Sequence, residues 1–167
     1  MLGKVELLNL LDDRQIPFSC EEHDSVLNMA ESGKLDLVLE GVRCKNLLLQ
    51  DKKGRYFLIV TTAAKSLDLV ALADLVGSKR LSFASSDKLL ELLGVLPGSL
   101  SPLALVNDEA KRVRLIVDCD LHAEPLFLFH PLENNASVSL SKQAFDAFLG
   151  TTGHRADWTP LPDRTIA

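Results

Sequence analysis

Cysteine is scarce in this chain of 167 residues, with only Cys20, Cys44 and Cys119. Three cysteines that lie far apart argue against a disulfide framework and against a zinc cluster. Long apolar runs are also missing, and Lys4 and Glu6 interrupt the N-terminal segment. These features predict neither a membrane span nor a signal peptide, so we expect a cytoplasmic protein without a membrane partner.

The chain also lacks an excess of positive charge, because 23 acidic residues outnumber 18 basic ones and the net charge is −5. Such a chain has no general attraction for nucleic acid, and no DNA partner is expected. Basic residues still gather in three turns, at 52–55, 79–80 and 111–114. Solvated turns explain these charges without any partner, and a local contact with nucleic acid is the alternative.

Common catalytic signatures are absent as well. The sequence has no glycine-rich dinucleotide or Walker pattern, no HExxH pair and no nucleophile elbow. Asp118 and Asp120 are interpreted as solvated charge and not as paired catalytic carboxylates. His23, His122 and His154 lie in polar stretches and are interpreted as surface residues. Few residues are therefore left as candidates for chemistry.

Apolar periodicity and turn residues predict a mixture of helices and strands. Helices are expected at 5–13, 25–31, 69–76, 87–93 and 142–149, and strands at 18–23, 35–42, 44–50, 56–62, 80–84, 103–106, 113–118, 126–129 and 136–140. This order predicts an α/β (α+β) fold, with a central mixed, mostly antiparallel sheet flanked by helices. One domain is expected over residues 1–167, with 151–167 as a C-terminal tail that is poorly ordered or lies at an edge.

The central feature of this pattern is a β-hairpin formed by residues 44–50 and 56–62. Side chains alternate along a strand, so Lys45 shares a face with Leu47, while Asn46 points to the other face. Both faces are largely apolar. A lysine on such a strand must extend to water, find a partner or hold an anion. Lys45 and Asn46 are therefore candidate site residues.

Two further features could belong to a site. Residues 94–102 contain two glycines and two prolines. They form either a helix stop with a rigid connection, or a cradle whose N–H groups hold a carbonyl oxygen or an oxyanion, to which Ser99 and Ser101 would add hydroxyls. His130 precedes Pro131 at a strand end, where a structural role and a site role are both open. With the strand lysine and asparagine, this set suits binding of a small anionic or carbonyl-bearing group.

Several short motifs occur in order along the chain. They are Ile16-Pro17-Phe18, Glu22-His23, Cys44-Lys45-Asn46-Leu47, residues 51–58, residues 79–84, Leu92-Leu93-Gly94-Val95, Pro97-Gly98-Ser99, Pro102, Val106-Asn107-Asp108 and Phe129-His130-Pro131-Leu132. With these motifs, over roughly residues 5 to 150, the chain resembles the YbaK / prolyl-tRNA-synthetase-associated domain family of aminoacyl-tRNA deacylases. The free-standing prolyl-tRNA editing members are the most similar.

The resemblance implies a compact α/β domain whose pocket contains the strand lysine, so Lys45 is expected to be catalytic. It also implies a G-x-x-x-P substrate loop at residues 98–102. The expected substrate-binding residues are those of the loop and two others at family motif positions, namely Gly98, Ser99, Ser101, Pro102, Asn46 and His130. The expected tRNA contacts lie in the first two basic turns, at Lys52, Lys53, Arg55, Lys79 and Arg80.

The implied reaction is hydrolysis of the ester that joins an amino acid to the terminal ribose of tRNA, with alanine on proline tRNA as the expected substrate. No metal or organic cofactor is implied, and the implied partners are the acceptor end of aminoacyl-tRNA and, transiently, prolyl-tRNA synthetase. Arg43-Cys44 stands where such members tend to have histidine and a small or hydroxyl residue. A deacylase for serine or threonine is therefore an alternative, and a non-catalytic tRNA- or synthetase-binding module that shares the fold is a second one.

Overall fold

The structure, a computed structural model, describes residues 1–24 and 38–164. Its strands are β1 (Ser19–Glu22), β2 (Val42–Asp51), β3 (Tyr56–Thr62), β4 (Leu81–Phe83), β5 (Val113–Asp118), β6 (Leu126–Phe129), β7 (Ala136–Ser141) and β8 (Ala156–Thr159). Its helices are α1 (Lys4–Asp13), α2 (Leu69–Val76), α3 (Ser86–Leu93) and α4 (Lys142–Thr152), with 3-10 turns at Pro102–Asn107 and Cys119–Leu121. None of the helices described is long and apolar enough to cross a membrane.

All the described strands join one mixed sheet. The strand order is β1-β7-β6-β2-β3-β5-β8, and β4 pairs with β2 beside this path. The pairs β1–β7, β7–β6, β2–β3 and β2–β4 are antiparallel. The pairs β6–β2, β3–β5 and β5–β8 are parallel. The predicted mixed and mostly antiparallel sheet is therefore confirmed.

The sheet is covered on both faces, and alternation along β3 shows how. Leu58 and Val60 point into the larger core, which also contains side chains of α1, α3 and α4. Phe57 and Ile59 point to the opposite face, where they meet α2 through Leu72 in a smaller core. Because neighbouring residues of each inner strand are buried on opposite sides, these strands are apolar almost throughout.

β2 has two different partners on the edge that faces away from β3. Its first residues pair with β6 and its last three pair with β4. Leu48 accepts a hydrogen bond from the Ala84 N–H at 2.9 Å. Among the described residues, no strand pairs with residues 44–47 on this edge. We call these four positions the edge gap, and both Lys45 and Asn46 lie within it.

Local signals account for most element ends. Asp68 caps α2 by accepting the Ala71 N–H at 3.0 Å, and the helix ends at Gly77 with φ +74°. The predicted strand at 103–106 is wrong, because these residues lie in the 3-10 helix Pro102–Asn107. The Ser101 side chain caps that helix and proline occupies its first turn, a combination that favours a helical turn over a strand.

Some predicted elements fall where the description of the chain stops. The helix at 25–31 and part of the strand at 35–42 lie outside the described residues. Residues 38–41 are not in a strand, and β2 begins at Val42. Within the segment predicted as a tail, β8 pairs in parallel with β5 and forms one edge of the sheet.

A buried carboxylate ties the hairpin turn to the turn before β4. The Asp51 side chain, only 3% exposed, accepts the N–H groups of Lys53 and Arg55, the Arg55 Nε–H at 2.6 Å and the Ser78 hydroxyl at 2.9 Å. Arg55 also donates to the Gly77 carbonyl oxygen at 3.0 Å. Burial alone would raise the pKa of Asp51, but these hydrogen bonds lower it to about 2.

Asp51→Asn should lower the free energy of unfolding by about 1.5–3 kcal/mol near neutral pH, because hydrogen bonds to a charged group are of that size. The pKa of Asp51 is lower in the folded than in the unfolded chain. Its stabilisation is therefore present above about pH 4 and is lost as the pH falls towards about 2. Chemical unfolding of wild type and variant across this range measures the difference.

The control is Asp12→Asn, which removes an exposed carboxylate on α1. Its unfolding free energy should stay close to that of the wild type at every pH. A gap between Asp51→Asn and the wild type that stays constant down to about pH 2 would contradict the role of the ionised Asp51 carboxylate.

Candidate active site

Lys45 is directed from the edge gap towards the segment that precedes α2. Its ammonium donates to the Lys65 carbonyl oxygen at 2.5 Å. Its partner across the hairpin is Thr61 of β3. An ammonium has three donors, and the described residues provide a hydrogen-bond partner for one of them. The remaining donors are available to an anionic or carbonyl-bearing ligand.

Lys65, whose carbonyl oxygen accepts the hydrogen bond from Lys45, is itself fixed by two carboxylates. Lys65 Nζ lies 2.8 Å from Asp118 Oδ2 and 2.8 Å from Asp120 Oδ2. Asp118 is fully buried and also accepts the Thr61 hydroxyl at 2.6 Å. Burial opposes both charges, yet the mutual hydrogen bonds and ion pairs raise the pKa of Lys65 and lower that of Asp118. The interpretation of Asp118 as solvated charge is therefore wrong, because its side chain is buried and paired with Lys65.

Lys45 lines a pocket of about 610 Å³ on this face of the sheet. The lining combines apolar side chains, two cations and the carboxylate that caps α2, and it consists of Lys45, Leu47, Ser66, Leu67, Asp68, Leu69, Val70, Phe83 and Arg164. Its size is in the range of small-molecule sites, and its few polar groups are set among apolar ones. The pocket can hold an apolar or aromatic group together with an anion.

Asn46 lies next to Lys45 but points to the opposite face. Cys44 and Leu48, which share this face with it, belong to the larger core. The Asn46 Nδ2 donates to the Cys44 carbonyl oxygen at 3.4 Å. Its Oδ1 is buried and has no hydrogen-bond partner among the described residues. A buried polar atom without a partner is uncommon in native proteins, and it marks a position where a ligand or water can bind.

The loop at residues 98–102 is fastened to the strand end that carries His130. The Ser101 hydroxyl donates to the His130 carbonyl oxygen at 2.6 Å and accepts the Leu103 N–H at 3.2 Å. Gly98 has φ +89°, a left-handed conformation that favours glycine. Ser99 and Pro102 are buried. The Ser101 proton is thus used to hold His130 and the loop together.

His130 and His23 form a pair at the same place. The His130 Nδ1 lies 2.9 Å from the Ala136 carbonyl oxygen, which requires a proton on Nδ1 and leaves Nε2 as an acceptor in the neutral ring. The ring centroids of His23 and His130 are 6.1 Å apart, and the His23 Nε2 lies 2.9 Å from the Ser137 hydroxyl. Burial lowers the pKa of His130, the Ala136 bond opposes this, and nearby His23 lowers it further.

The structure therefore brings part of the predicted site together. Ser101 and His130 are directly bonded, and His23 joins them although its polar surroundings indicate a surface residue. Lys45 points away from the face of Asn46, and its pocket contains neither the loop nor His130. A single cleft lined by Lys45, the loop and His130 stays a prediction. The Glu22-His23 motif was the signal that could have found His23.

His154 is also not a surface residue. Its side chain is only 4% exposed, and its Nε2 lies 2.8 Å from Asp108 Oδ2. Asp108 further accepts the N–H groups of Arg112 and Val113, each at 2.9 Å, and so fixes the start of β5. The aspartate of the Val-Asn-Asp motif therefore has a structural role in this chain.

The two basic turns adjoin one another. Arg55 bridges them, because its guanidinium bonds to the turn that precedes Lys79 and Arg80. Lys52, Lys53, Lys79 and Arg80 are exposed, and none of the four forms an ion pair with a described residue. The pairing of Arg55 with Asp51 leaves these four residues as the cations of the surface that can meet a polyanion.

Comparison with solved structures identifies the class of fold. A structure described as a candidate trans-editing enzyme for prolyl-tRNA synthetase covers 98% of this chain and 99% of its own, with a TM-score of 0.69 and 19% identity. At this identity the likeness establishes the fold alone. The mixed α/β sheet described above is thus a known architecture, shared over nearly the whole chain.

Comparison of sequences then identifies the family. The family model of the aminoacyl-tRNA editing domain matches residues 23–148, and the chain belongs to this family. The prolyl-tRNA editing protein ProX of Acetoanaerobium sticklandii is 34% identical over 155 residues, which cover 92% of this chain and 94% of that protein. The prolyl-tRNA synthetase associated domain-containing protein 1 of Danio rerio is 34% identical over 151 residues, 89% of this chain and 82% of that protein. The activity class of the family is aminoacyl-tRNA deacylation, the hydrolysis of an ester.

Proposed function

We propose that this protein hydrolyses the aminoacyl ester of mischarged proline tRNA in trans, with alanine as the amino acid that it removes. Support for the tRNA comes from a relative that is named a prolyl-tRNA editing protein and that aligns with 92% of this chain. The structural observation that carries the proposal is the edge gap of β2. There the Lys45 ammonium, with unused donors, lies on one face of the strand, and the unpartnered Asn46 oxygen lies on the other. Both groups suit a charged ester substrate.

Lys45 is the proposed catalytic residue. Its compact ammonium holds the phosphate or ribose of the terminal adenosine, or stabilises the negative charge that develops on the ester. An aminoacyl ester is already reactive, so the enzyme needs positioning and charge stabilisation more than a strong nucleophile. Water attacks the ester, and a hydroxyl of the substrate ribose assists it. This scheme needs no protein base and no cofactor.

Asn46 and His130 supply two acceptors in addition to the donors of Lys45. The Asn46 Oδ1 accepts a hydrogen bond from the substrate, for which the α-ammonium group of the amino acid is suited. His130 is kept neutral by its burial and offers Nε2 to a substrate hydroxyl. A ligand that reaches both acceptors and Lys45 must lie along the edge gap, where no described strand pairs with this edge of β2.

The loop at residues 98–102 forms the remaining wall in this proposal. The Ser99 N–H donates to the Leu96 carbonyl oxygen at 3.0 Å, so the N–H of Gly98 is the proposed donor to the substrate carbonyl. Ser101 and Pro102 hold the loop against His130 and act by positioning it. The loop then sets the space that remains for the amino-acid side chain.

A panel of charged tRNAs tests the proposal. Alanine on proline tRNA should be hydrolysed much faster than proline on the same tRNA, because a pocket that excludes proline by steric clash can exceed the roughly 10- to 200-fold discrimination of a methylene fit. Serine and threonine esters on the same tRNA measure the alternative specificity. Hydrolysis of none of these esters, with tRNA binding retained, would identify a non-catalytic binding module and contradict the proposal.

Replacing Lys45 tests its role directly. Lys45→Ala should slow single-turnover hydrolysis by about 10²–10³-fold, the usual effect of losing one charge-stabilising contact. Lys45→Arg should restore little, because a planar guanidinium fork does not occupy the place of a compact ammonium. Lys45→Met keeps the apolar stem and should therefore melt near the wild-type temperature while remaining as slow as the alanine variant.

Near-normal hydrolysis by Lys45→Met would show that the lysine only completes the hairpin. The matched control is Lys88→Met, which removes an exposed ammonium of α3 that is paired with Glu91. Its hydrolysis rate should equal that of the wild type.

The four exposed cations of the adjoining turns should contribute to tRNA binding through phosphate contacts. Changing Lys52 and Lys53 to glutamine, or Lys79 and Arg80 in a second variant, should weaken binding and reduce the slope of log affinity against log salt by up to about 2. Arg55 is kept in both variants, because its hydrogen bonds to Asp51 and Gly77 hold the two turns in place. Arg14→Gln, at the exposed end of α1, is the control. A slope unchanged in either double variant would remove that turn from the interface.

A further inference from the structure

We propose that Phe83 is a stacking platform for an unpaired base of the tRNA 3′ end, and that Arg164 holds a phosphate beside it. This inference rests on the proposed function, because it assigns the Lys45 pocket to the nucleotides next to the ester. The ligand class is a single-stranded nucleotide segment, and the binding groups are one exposed ring and the two cations of the pocket, Lys45 and Arg164.

The strand pairing fixes the position of Phe83. In β4 it lies directly opposite Leu49 of β2, so its ring is on the same face as Leu49, Leu47 and Lys45. Leu49 and Lys45 are four positions apart along the extended strand, a length of about 13 Å. Stacked nucleotides rise by about 3.4 Å each, so this length accommodates more than one nucleotide between the ring and the ammonium.

Phe83 is not needed to fill the core on its side of the sheet. It is 60% exposed, whereas Leu81, which shares its face on β4, is 6% exposed and belongs to the smaller core. An exposed ring on a strand, at the rim of a pocket that also holds cations, has the features of a base-stacking site. Every base presents a flat face, so such a ring binds without reading sequence.

The charges of the pocket favour an anion near the ring. The described residues offer no hydrogen-bond or ion-pair partner to the Arg164 side chain, while its backbone N–H donates to Ser66 at 2.7 Å and so fixes its position. The one carboxylate of the lining, Asp68, accepts the Ala71 N–H as the cap of α2. The exposed Lys79 and Arg80 lead directly into β4, so a polyanion that meets the basic turn can continue to Phe83.

These features favour a single-stranded nucleic acid over a duplex as the ligand. The bases of a duplex stack on one another and do not present a face to a protein ring, whereas unpaired bases stack on aromatic side chains. A peptide partner would use the apolar lining but would leave Arg164 and the ammonium of Lys45 without phosphates. The 3′ end of tRNA is both single-stranded and adjacent to the ester, so it is the occupant to which we commit.

Binding of two uncharged RNA hairpins tests the inference. One ends in an unpaired CCA tail, and the other has the same stem with a blunt end. Phe83→Leu should weaken binding of the tailed hairpin about 5- to 150-fold, the effect of losing one stacked base, while Phe83→Tyr keeps it. Arg164→Gln should weaken binding and reduce the salt slope by about 1. Leu90→Ala, which removes an exposed apolar side chain of α3 outside the pocket, is the control and should bind as the wild type does.

Fluorescence gives a readout that does not depend on hydrolysis. Phe83→Trp places an indole at the platform, and its emission should fall in a saturable way with the tailed hairpin and not with the blunt one. The wild type reports the background from Trp158, the single tryptophan of the chain. Equal binding of both hairpins, or wild-type affinity in Phe83→Leu, would overturn the inference.

The outcomes for the two proposals can be told apart. If the wild type hydrolyses charged tRNA but Phe83→Leu binds the tailed hairpin normally, the platform is wrong and the proposed function stands. If no charged tRNA is hydrolysed but the tailed hairpin quenches Phe83→Trp, the platform stands and the proposed function is wrong. Thermal melts of all variants should lie near that of the wild type, because the Phe83 ring is mostly exposed.

Discussion

The constraint on which the structure depends is that β2 must serve two cores and two partner strands at once. Its alternate residues enter opposite cores. Its edge away from β3 pairs first with β6 and then with β4. Since β6 pairs with Val42 and Arg43 and β4 pairs with residues 49–51, the two partners do not meet, and the edge gap remains between them. An unpaired edge is usually a liability in a sheet. Here it leaves Lys45 and Asn46, both half-buried, on a strand segment without a partner strand on that edge, so no loop has to carry them.

The charge of Lys45 remains available because its neighbour is neutralised. The Lys65 carbonyl oxygen accepts a hydrogen bond from the Lys45 ammonium. The ammonium of Lys65 is paired with Asp118 and Asp120. Without these carboxylates, a second cation would repel Lys45 in a partly buried place. With them, Lys45 is fixed but has no carboxylate of its own among the described residues. An anionic substrate therefore does not have to displace an existing ion pair.

Much of the fold could be predicted from the sequence, because its local signals agree with its tertiary structure. The alternation of β2 and β3 and the cap at Asp68 are readable in the chain. The 3-10 helix Pro102–Asn107 was not predicted, since its apolar residues are also typical of a strand and only the cap at Ser101 decides between them. The pairing of Lys65 with Asp118 joins residues distant in sequence, so no local pattern could show it. His23 was missed for the same reason, because its neighbour His130 is brought to it by β7.

The hydrogen bonds of Asp51 connect this architecture to the exposed basic residues of the two adjoining turns. Among the described residues, Arg55 is the one basic residue of the adjoining turns whose side chain forms an ion pair, and it holds the hairpin turn against the turn that leads into β4. That same strand carries Phe83 to the rim of the Lys45 pocket. A phosphate contact by Arg55 would compete with a buried carboxylate that lies 2.6 Å from its Nε, a charge-assisted hydrogen bond that already uses the guanidinium. Arg55 thus fixes the shape of this basic surface, while the exposed lysines around it supply its positive charge.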